Sequence, residues 1–298
     1  MLYPIYKVFK YILDYPINKI KKYFSYKENL QYLCSIIEPS TIKKADGEIR
    51  EIQNRYLNFA IEVNQIMENI NLKPFLVSGT LLGAIRHGGY IPWDDDLDFG
   101  LIRDEYENLI SWAKENAVFE ERKSNRFWST NQRLKYEDNL IKKNPNKLIF
   151  IHSSEMLQIY TGTSLKNFSL IDIFPFDFYK DGYSFEEHKK YLRKIHRKLE
   201  IINNYSKEIT FLKEERKNNP NIGSGTNIGY SLYKIFYKYD DIFPLKKIKF
   251  EDTEFYAPNN SIVFLENIFG KNWNKLPLDV GYSHHRVLIN KYNRKYNR

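Results

Sequence analysis

The amino-acid sequence predicts a mixed α/β (α+β) domain with a helical C-terminal part. Three observations carry that prediction: one early segment with apolar residues at helical spacing, several short apolar runs bounded by turn residues, and a string of acids lying on one of those runs. Ile49, Ile52, Tyr56, Phe59, Ala60, Val63, Ile66, Met67 and Ile70 recur at steps of three and four, the pattern of an amphipathic helix whose apolar face is core. Asn71 and Pro74 end it. Phe75-Leu76-Val77-Ser78 reads as a short buried strand. Thr80 is placed to cap a short helix over Leu81, Leu82, Ala84 and Ile85, and Gly88, Gly89 and Pro92 make the following turn. Residues 97–101 read as the next strand, with Leu97, Phe99 and Leu101 on one face and Asp96, Asp98 and Gly100 on the other.

Further along, Tyr106, Leu109, Ile110 and Ala113 give a helix. Strands are expected over residues 147–151, 157–161 and 170–174, and helices over the charged stretch from Ser184 and the stretch from Thr226. Residues 247–250 and 254–256 read as a hairpin, and a helix follows near 261–268. No internal repeat is present, and residues 218–225 are the expected flexible link. The chain thus divides into an N-terminal extension (1–45), a core (46–182) and a C-terminal region with the hairpin (183–298).

The composition fits a folded protein. Of 298 residues, 42% are hydrophobic and 16% aromatic, ample for a core. Cys34 is the single cysteine, so neither a disulfide framework nor a cysteine zinc site can form, which suits a reducing compartment. No stretch approaches the roughly 20 apolar residues of a membrane span. The N-terminus lacks both an uninterrupted apolar core and a small-residue cleavage site, which argues against a signal peptide. It is unusual in another way: Tyr3, Tyr6, Phe9, Tyr11, Tyr15, Tyr23 and Phe24 interleave with Lys7, Lys10, Lys19, Lys21 and Lys22. Aromatics with lysines suit an anionic membrane surface, where each Lys contributes about 1 kcal/mol; a segment packed on the domain is the alternative. Pro4 and Pro16 are expected to limit any single helix there. The net charge of +9 is diffuse, and no helix-turn-helix, zinc-finger or RNP-like pattern occurs, so no nucleic-acid partner is expected.

Against that positive excess, Asp94, Asp95, Asp96 and Asp98 crowd four carboxylates into five positions. Alternate residues on a strand share a face about 6.5–7 Å apart, so Asp96 and Asp98 can converge, with Asp94 two positions earlier. Carboxylates this close repel one another unless a cation lies between them. Hard oxygen ligands, with phosphate oxygens and water, are what Mg²⁺ (or Mn²⁺) takes. Asp95 departs from the alternation and is expected to serve the turn or to support the acids that face the metal. Upstream, Gly79-Thr80 sits between a strand and a helix start, where free backbone N–H groups and a hydroxyl form an anion cradle.

The combination matches the pattern hG[ST]…Dx[DE] of nucleotidyltransferase-fold enzymes, and the longer string "SGTLLGAIRHGGYIPWDDDLDFG" closely resembles the signature of the LicD/fukutin family. "IDIFPFD", "FPLKKIKFEDTEFYAPNN", "LENIFGKNWNKLP" and the pair His284-His285 resemble further blocks of that family, over roughly residues 74–286; the first 45 residues carry none of it. The resemblance implies a nucleotidyltransferase-like mixed sheet flanked by helices. It also implies transfer of phosphocholine from CDP-choline, or of a phosphate-linked polyol from its CDP derivative, to a hydroxyl of a glycan or glycolipid with release of CMP. By that resemblance Asp94, Asp96 and Asp98 face the metal. In related folds a third carboxylate comes from a neighbouring strand; Asp172, flanked by Ile171 and Ile173, is the choice and Asp177 the rival. The expected catalytic residues are then Asp96, Asp98 and Asp172.

Other candidates each carry an everyday reading beside the functional one. Arg86 can grip a phosphate or sit at a helix end, and His87 follows it. Lys247 and Lys249 share a strand face and can meet phosphate or simply solvate an edge. His284 and His285 can reach substrate or be incidental. Tyr256, Asn259 and Asn260 can line a pocket or form a turn. A glycosyltransferase using a D-x-D motif and a nucleotide sugar, or a non-catalytic glycan- or membrane-binding protein, are the alternative functions. The family implies a surface glycan (lipooligosaccharide, teichoic acid or capsule) built at the inner face of the cytoplasmic membrane, hence a cytoplasmic, peripheral protein. The sequence does not choose among acceptors, among choline, ethanolamine, ribitol and glycerol, or among oligomeric states.

Overall fold

The computed structural model describes residues 3–122, 129–153, 156–178, 184, 186–187, 190–191, 194, 221–224 and 236–277. Its centre is a ten-stranded mixed sheet. The strands are β1 (Phe75–Leu76), β2 (Asp98–Ile102), β3 (Val118–Glu121), β4 (Ile149–His152), β5 (Leu157–Ser164), β6 (Asn167–Phe178), β7 (Asn221–Ser224), β8 (Phe236–Lys238), β9 (Lys246–Phe250) and β10 (Thr253–Ala257). The main path runs β3-β4-β5-β6-β2-β1-β10-β9, and β7 pairs with both β6 and β8. β2 and β6 run parallel, as do β3 with β4 and β1 with β10; the other pairs are antiparallel.

Helices α1 (Tyr3–Ile36), α2 (Gly47–Asn69), α3 (Ser78–His87), α4 (Arg103–Asn116), α5 (Thr130–Lys143), α6 (Tyr239–Ile242) and α7 (Ser261–Phe269) are those the described residues give with their bounds. The periodic segment forms α2 as expected. Its buried stripe lies on β6, where the Tyr56 ring meets Phe168 at 5.8 Å and Arg55 Nε donates to the Phe168 carbonyl. Asp172 is four residues along β6 from Phe168 and therefore on the same face. α4 covers the other face. There the Arg103 guanidinium makes a two-pronged pair with Asp177, with both N···O distances 2.9 Å. The sheet is thus sandwiched between helices, and the acids at the start of β2 emerge on the α2 side.

Several expectations need correction. The helix after β1 starts at Ser78, with Val77 as the residue before it, so Thr80 lies within the helix and does not cap it. The reason is that the extended Val77 is already bonded to β2, its N–H donating to the Asp98 carbonyl at 3.2 Å. α1 runs through both prolines. Pro4 falls in the first turn, where no intrahelical donor is missed; the single bond lost at Pro16 is bridged by the turns on either side. Residues 221–224 form β7, whereas 218–220 and 225 of the expected link lie outside the described residues. Of the charged stretch from Ser184, the described residues 186–187, 190–191 and 194 are helical; the stretch from Thr226 lies outside the description until 236. β8 overturns the end of the helix expected from Thr226, since residues 236–238 pair with β7 as a strand; β3 and α5 come without a prior sequence signal.

Candidate active site

The turn after α3 is built before the acids are. Gly88, at φ 70, occupies the left-handed region that a side chain resists, and lets α3 stop abruptly. Gly89 then lies so close to Glu251 that an added Cβ would overlap its carboxylate. Glu251 is almost wholly buried at the bend between β9 and β10. It accepts from Lys44 (2.6 Å), Arg50 (2.9 Å) and the Tyr90 N–H (3.2 Å). Burial pushes this carboxyl up, but the Arg50 and Lys44 hydrogen bonds outweigh it and hold the group below the ordinary range. From α2, Gln53 Nε2 donates to the Asp94 carbonyl at 2.8 Å. Two elements distant in sequence therefore clamp the chain on either side of Pro92 and Trp93, and they aim the acids.

Residues 94–97 are not strand, since β2 begins only at Asp98. Strand alternation does not apply to them, so three consecutive aspartates turn inward together. One carboxylate oxygen from each of Asp94, Asp95 and Asp96 lies within 4.8 Å of the others, the one such cluster among the described residues. Asp95 is 2% exposed and its carboxylate lies with those of Asp94 and Asp96. Burial, then the charges of Asp96 and Asp95, raise Asp94 to about 7. Asp94 Oδ2 lies against Gly79, where an added Cβ would approach it to 3.2 Å. Asp94 thus takes the place at the N-terminus of α3 that favours negative charge. Three hard oxygen donors held together against their own repulsion are a set that fits Mg²⁺ or Mn²⁺.

Asp98 opens β2 beside this group. Its N–H donates to the Thr80 hydroxyl at 2.8 Å, which fixes the start of the strand to α3. Its register partner on the parallel strand is Asp172. Asp172 also stands opposite Gln158 of β5, whose amide Nε2 donates to Asp172 Oδ1 at 3.0 Å. Asp95, Asp96 and Asp172 all act on the buried Tyr56 hydroxyl, which burial first and these charges second keep protonated far above its usual range. Asp177, five residues on and on the opposite face, is engaged by Arg103. Asp98 and Asp172 are not members of the three-acid group; of the two candidates for a third carboxylate, Asp172 lies in register with Asp98, its N–H donating to the Leu97 carbonyl at 3.0 Å.

The basic candidates sit elsewhere. Arg86 is buried near the far end of α3, about 10 Å along the axis from Gly79. Its Nη1 donates to the carbonyls of Trp273 and Lys275, each at 3.1 Å, and its Nε to His87 at 2.9 Å. Burial lowers Arg86, and burial with the Arg86 charge lowers His87 to about 4, so the imidazole is neutral at pH 7. Arg86, with Ile91, Trp93 and Trp273, lines an open cavity of about 710 Å³ next to the acid turn, to which Gln31, Cys34 and Ser35 of α1 also contribute. Lys247 and Lys249 lie on the edge strand β9. The registers place Lys247 level with Tyr256, Phe75 and Gly100, and Lys249 further from Asp98 still. Lys247 Nζ reaches Glu68 at 3.9 Å and the Tyr256 ring at 5.2 Å. Asn259 and Asn260 fasten a turn, Asn259 donating to the Asp240 carbonyl and Asn260 capping α7. His284 and His285 lie outside the described residues. Gln53, Tyr56 and Gln158 are neighbours of the site that the sequence pattern concealed: two read as a core helix, the third as an unremarkable strand residue.

Residues 71–213 match the LicD/FKTN/FKRP nucleotidyltransferase domain. Among individual proteins, 68 residues are 43% identical to lipopolysaccharide cholinephosphotransferase LicD of Haemophilus influenzae, over 22% of this chain and 26% of that one. An uncharacterized Rickettsia prowazekii protein is 30% identical over 122 residues, 40% of each chain. Human ribitol 5-phosphate transferase FKRP is 37% identical over 59 residues, 19% of this chain and 12% of its own length. The matches thus span well under half of each relative.

Proposed function

Because residues 71–213 match the LicD/FKTN/FKRP nucleotidyltransferase domain, we propose that this protein is a transferase of substituted phosphate groups. It moves phosphocholine from CDP-choline, or a related group from another CDP-linked donor, onto a hydroxyl of a cell-surface glycan or glycolipid. The observation that carries this reading is the convergence of Asp94, Asp95 and Asp96 beside the registered pair Asp98 and Asp172. The named activities of two relatives, a cholinephosphotransferase and a ribitol 5-phosphate transferase, support the same class of chemistry.

In the transfer, the acceptor oxygen bonds to the phosphorus that bears choline. The bond from that phosphorus to the CMP oxygen breaks, and its electron pair departs with CMP. The hydroxyl proton passes to a carboxylate, Asp98 or Asp172, which also orients the attack. Mg²⁺ or Mn²⁺ would be held by Asp94, Asp95 and Asp96 with Asp98 and Asp172 alongside, and when bound would neutralise the diphosphate and the charge developing on CMP. Gly79 lets the Asp94 carboxylate approach the N-terminus of α3, and Thr80 pins Asp98 in place. The protein's contribution is position and field, with no covalent step of its own.

No helix among the described residues is long and apolar enough to cross a membrane. α1 nonetheless exposes Tyr23, Phe24, Tyr26 and Tyr32 beside exposed Lys19, Lys21 and Lys22, which supports contact with an anionic membrane surface at its cytoplasmic face. The deciding experiment is a donor screen read by CMP release, with Mg²⁺ present or chelated. Asp96→Asn and Asp98→Asn are expected to abolish metal-dependent release while the circular dichroism spectrum is kept. Full activity in either variant refutes the proposal.

A further inference from the structure

Asp172 is the only acid of the proposed site that comes from a strand other than β2 and its leading turn. The sheet supplies a contact to it from β5. Across β2, β6 and β5 the registers align Asp98, Asp172 and Gln158 in one row on one face, with neighbours about 4.8 Å apart. Gln158 Nε2 donates to Asp172 Oδ1 at 3.0 Å. Gln158 Oε1 in turn accepts from Arg122 Nη2 at 3.1 Å, and Arg122 Nη1 is paired with Glu137 of α5. The Arg122 and Glu137 side chains are 1% and 3% exposed, and Gln158 is 4% exposed, so water does not compete within this chain of contacts.

The polarity of the chain follows from chemistry. A guanidinium has donors and no acceptor, so the Gln158 end that meets Arg122 must be its carbonyl oxygen. Its NH₂ end is thereby committed to Asp172. Glu137 neutralises Arg122 from behind and keeps the guanidinium from turning to the carboxylates itself. The amide donor opposes the repulsion between Asp172 and Asp98, the like charge beside it in register.

We infer that Gln158, locked by Arg122 and Glu137, is a positioning residue that orients the Asp172 carboxylate for divalent-cation binding. The inference rests on the proposed metal-dependent function, since it concerns how this chain holds a cation. Partners that orient a ligating carboxylate typically change metal affinity or activity 10–100-fold when removed.

Gln158→Met keeps the length of the side chain and removes the donor. Mn²⁺ binding to the full chain, measured from the free-ion electron paramagnetic resonance signal, is expected to weaken 10–100-fold. Raising Mn²⁺ should restore part of the lost turnover, because part of the fault lies in holding the ion. Gln158→Asn, too short to span from Arg122 to Asp172, should weaken binding by a smaller factor and serves if the first variant does not fold. Asp96→Asn is run in parallel. If it abolishes Mn²⁺ binding while both Gln158 variants, folded, bind as wild type, the positioning role is overturned and the metal site stands. If Asp96→Asn also binds as wild type, the metal-dependent reading itself fails.

Discussion

Asp172 and Asp177 lie five residues apart on β6, on opposite faces, and replacing each by its amide separates holding the fold from holding a cation. Asp177 is fully buried and meets Arg103 through two parallel hydrogen bonds of 2.9 Å, with neither side chain more than 5% exposed. Water therefore screens little, and removing one partner of such a pair costs about 3–5 kcal/mol. Asparagine keeps an oxygen for one of the two donors, so Asp177→Asn falls near the lower end, about 3 kcal/mol. At about 2–4 °C per kcal/mol for a chain of this size, melting drops by roughly 6–12 °C. Asp172→Asn keeps an acceptor for Gln158 and removes a charge that stands beside Asp98, so melting changes by no more than about 2 °C. The assays are thermal melting in metal-free buffer and Mn²⁺ binding. Asp177→Asn should melt early yet bind Mn²⁺ when folded; Asp172→Asn should melt normally and bind weakly. The reverse pattern, or an Asp177→Asn variant that melts with wild type, refutes the assignment of the two acids. Replacing both members of the pair, Arg103→Met with Asp177→Leu, should restore most of the lost stability.

Two further outcomes follow from the clamp around the site. Glu251→Gln should cost about 1–2 kcal/mol at pH 7, limited because Arg50 and Lys44 remain partly exposed. Since the folded carboxyl sits below its unfolded value, its contribution is present in full above about pH 4.5 and is lost as the pH falls through the folded value. The difference in denaturation midpoint between wild type and Glu251→Gln should therefore be constant above that pH and shrink below it. Thr80→Val removes the acceptor of the Asp98 N–H while keeping shape. It should destabilise by about 1–3 kcal/mol in guanidinium titration and weaken Mn²⁺ binding, whereas a change in stability alone would confine Thr80 to a structural role.

Much of the architecture was legible because it is written in local patterns. The three-and-four spacing from Ile49 to Ile70 fixes α2 within a residue or two at either end, and the hairpin and α7 emerge almost where alternation and turn residues placed them. α5 escaped notice because its polar composition hides a short buried stripe of Leu134, Glu137, Asp138, Leu140 and Ile141, in which two of five members are acids. Arg86 was legible as a functional cation by type alone; its carbonyl partners at Trp273 and Lys275 lie nearly 190 residues away, beyond any local pattern.

The amino-acid string by itself determined that carboxylates would be concentrated after a short helix and a glycine turn, because residue type and short spacing suffice for that. Which acids meet was decided by tertiary structure. Asp95 joins the cluster because β2 starts three residues later, and Asp172 faces Asp98 because β6 pairs with β2 in that register and no other. Gln158, Arg122 and Glu137 reach Asp172 only through β5, the end of β3 and α5. Strand register is a long-range property, set by which faces the helices bury, and a one-residue slip would send every one of these side chains to the opposite side of the sheet.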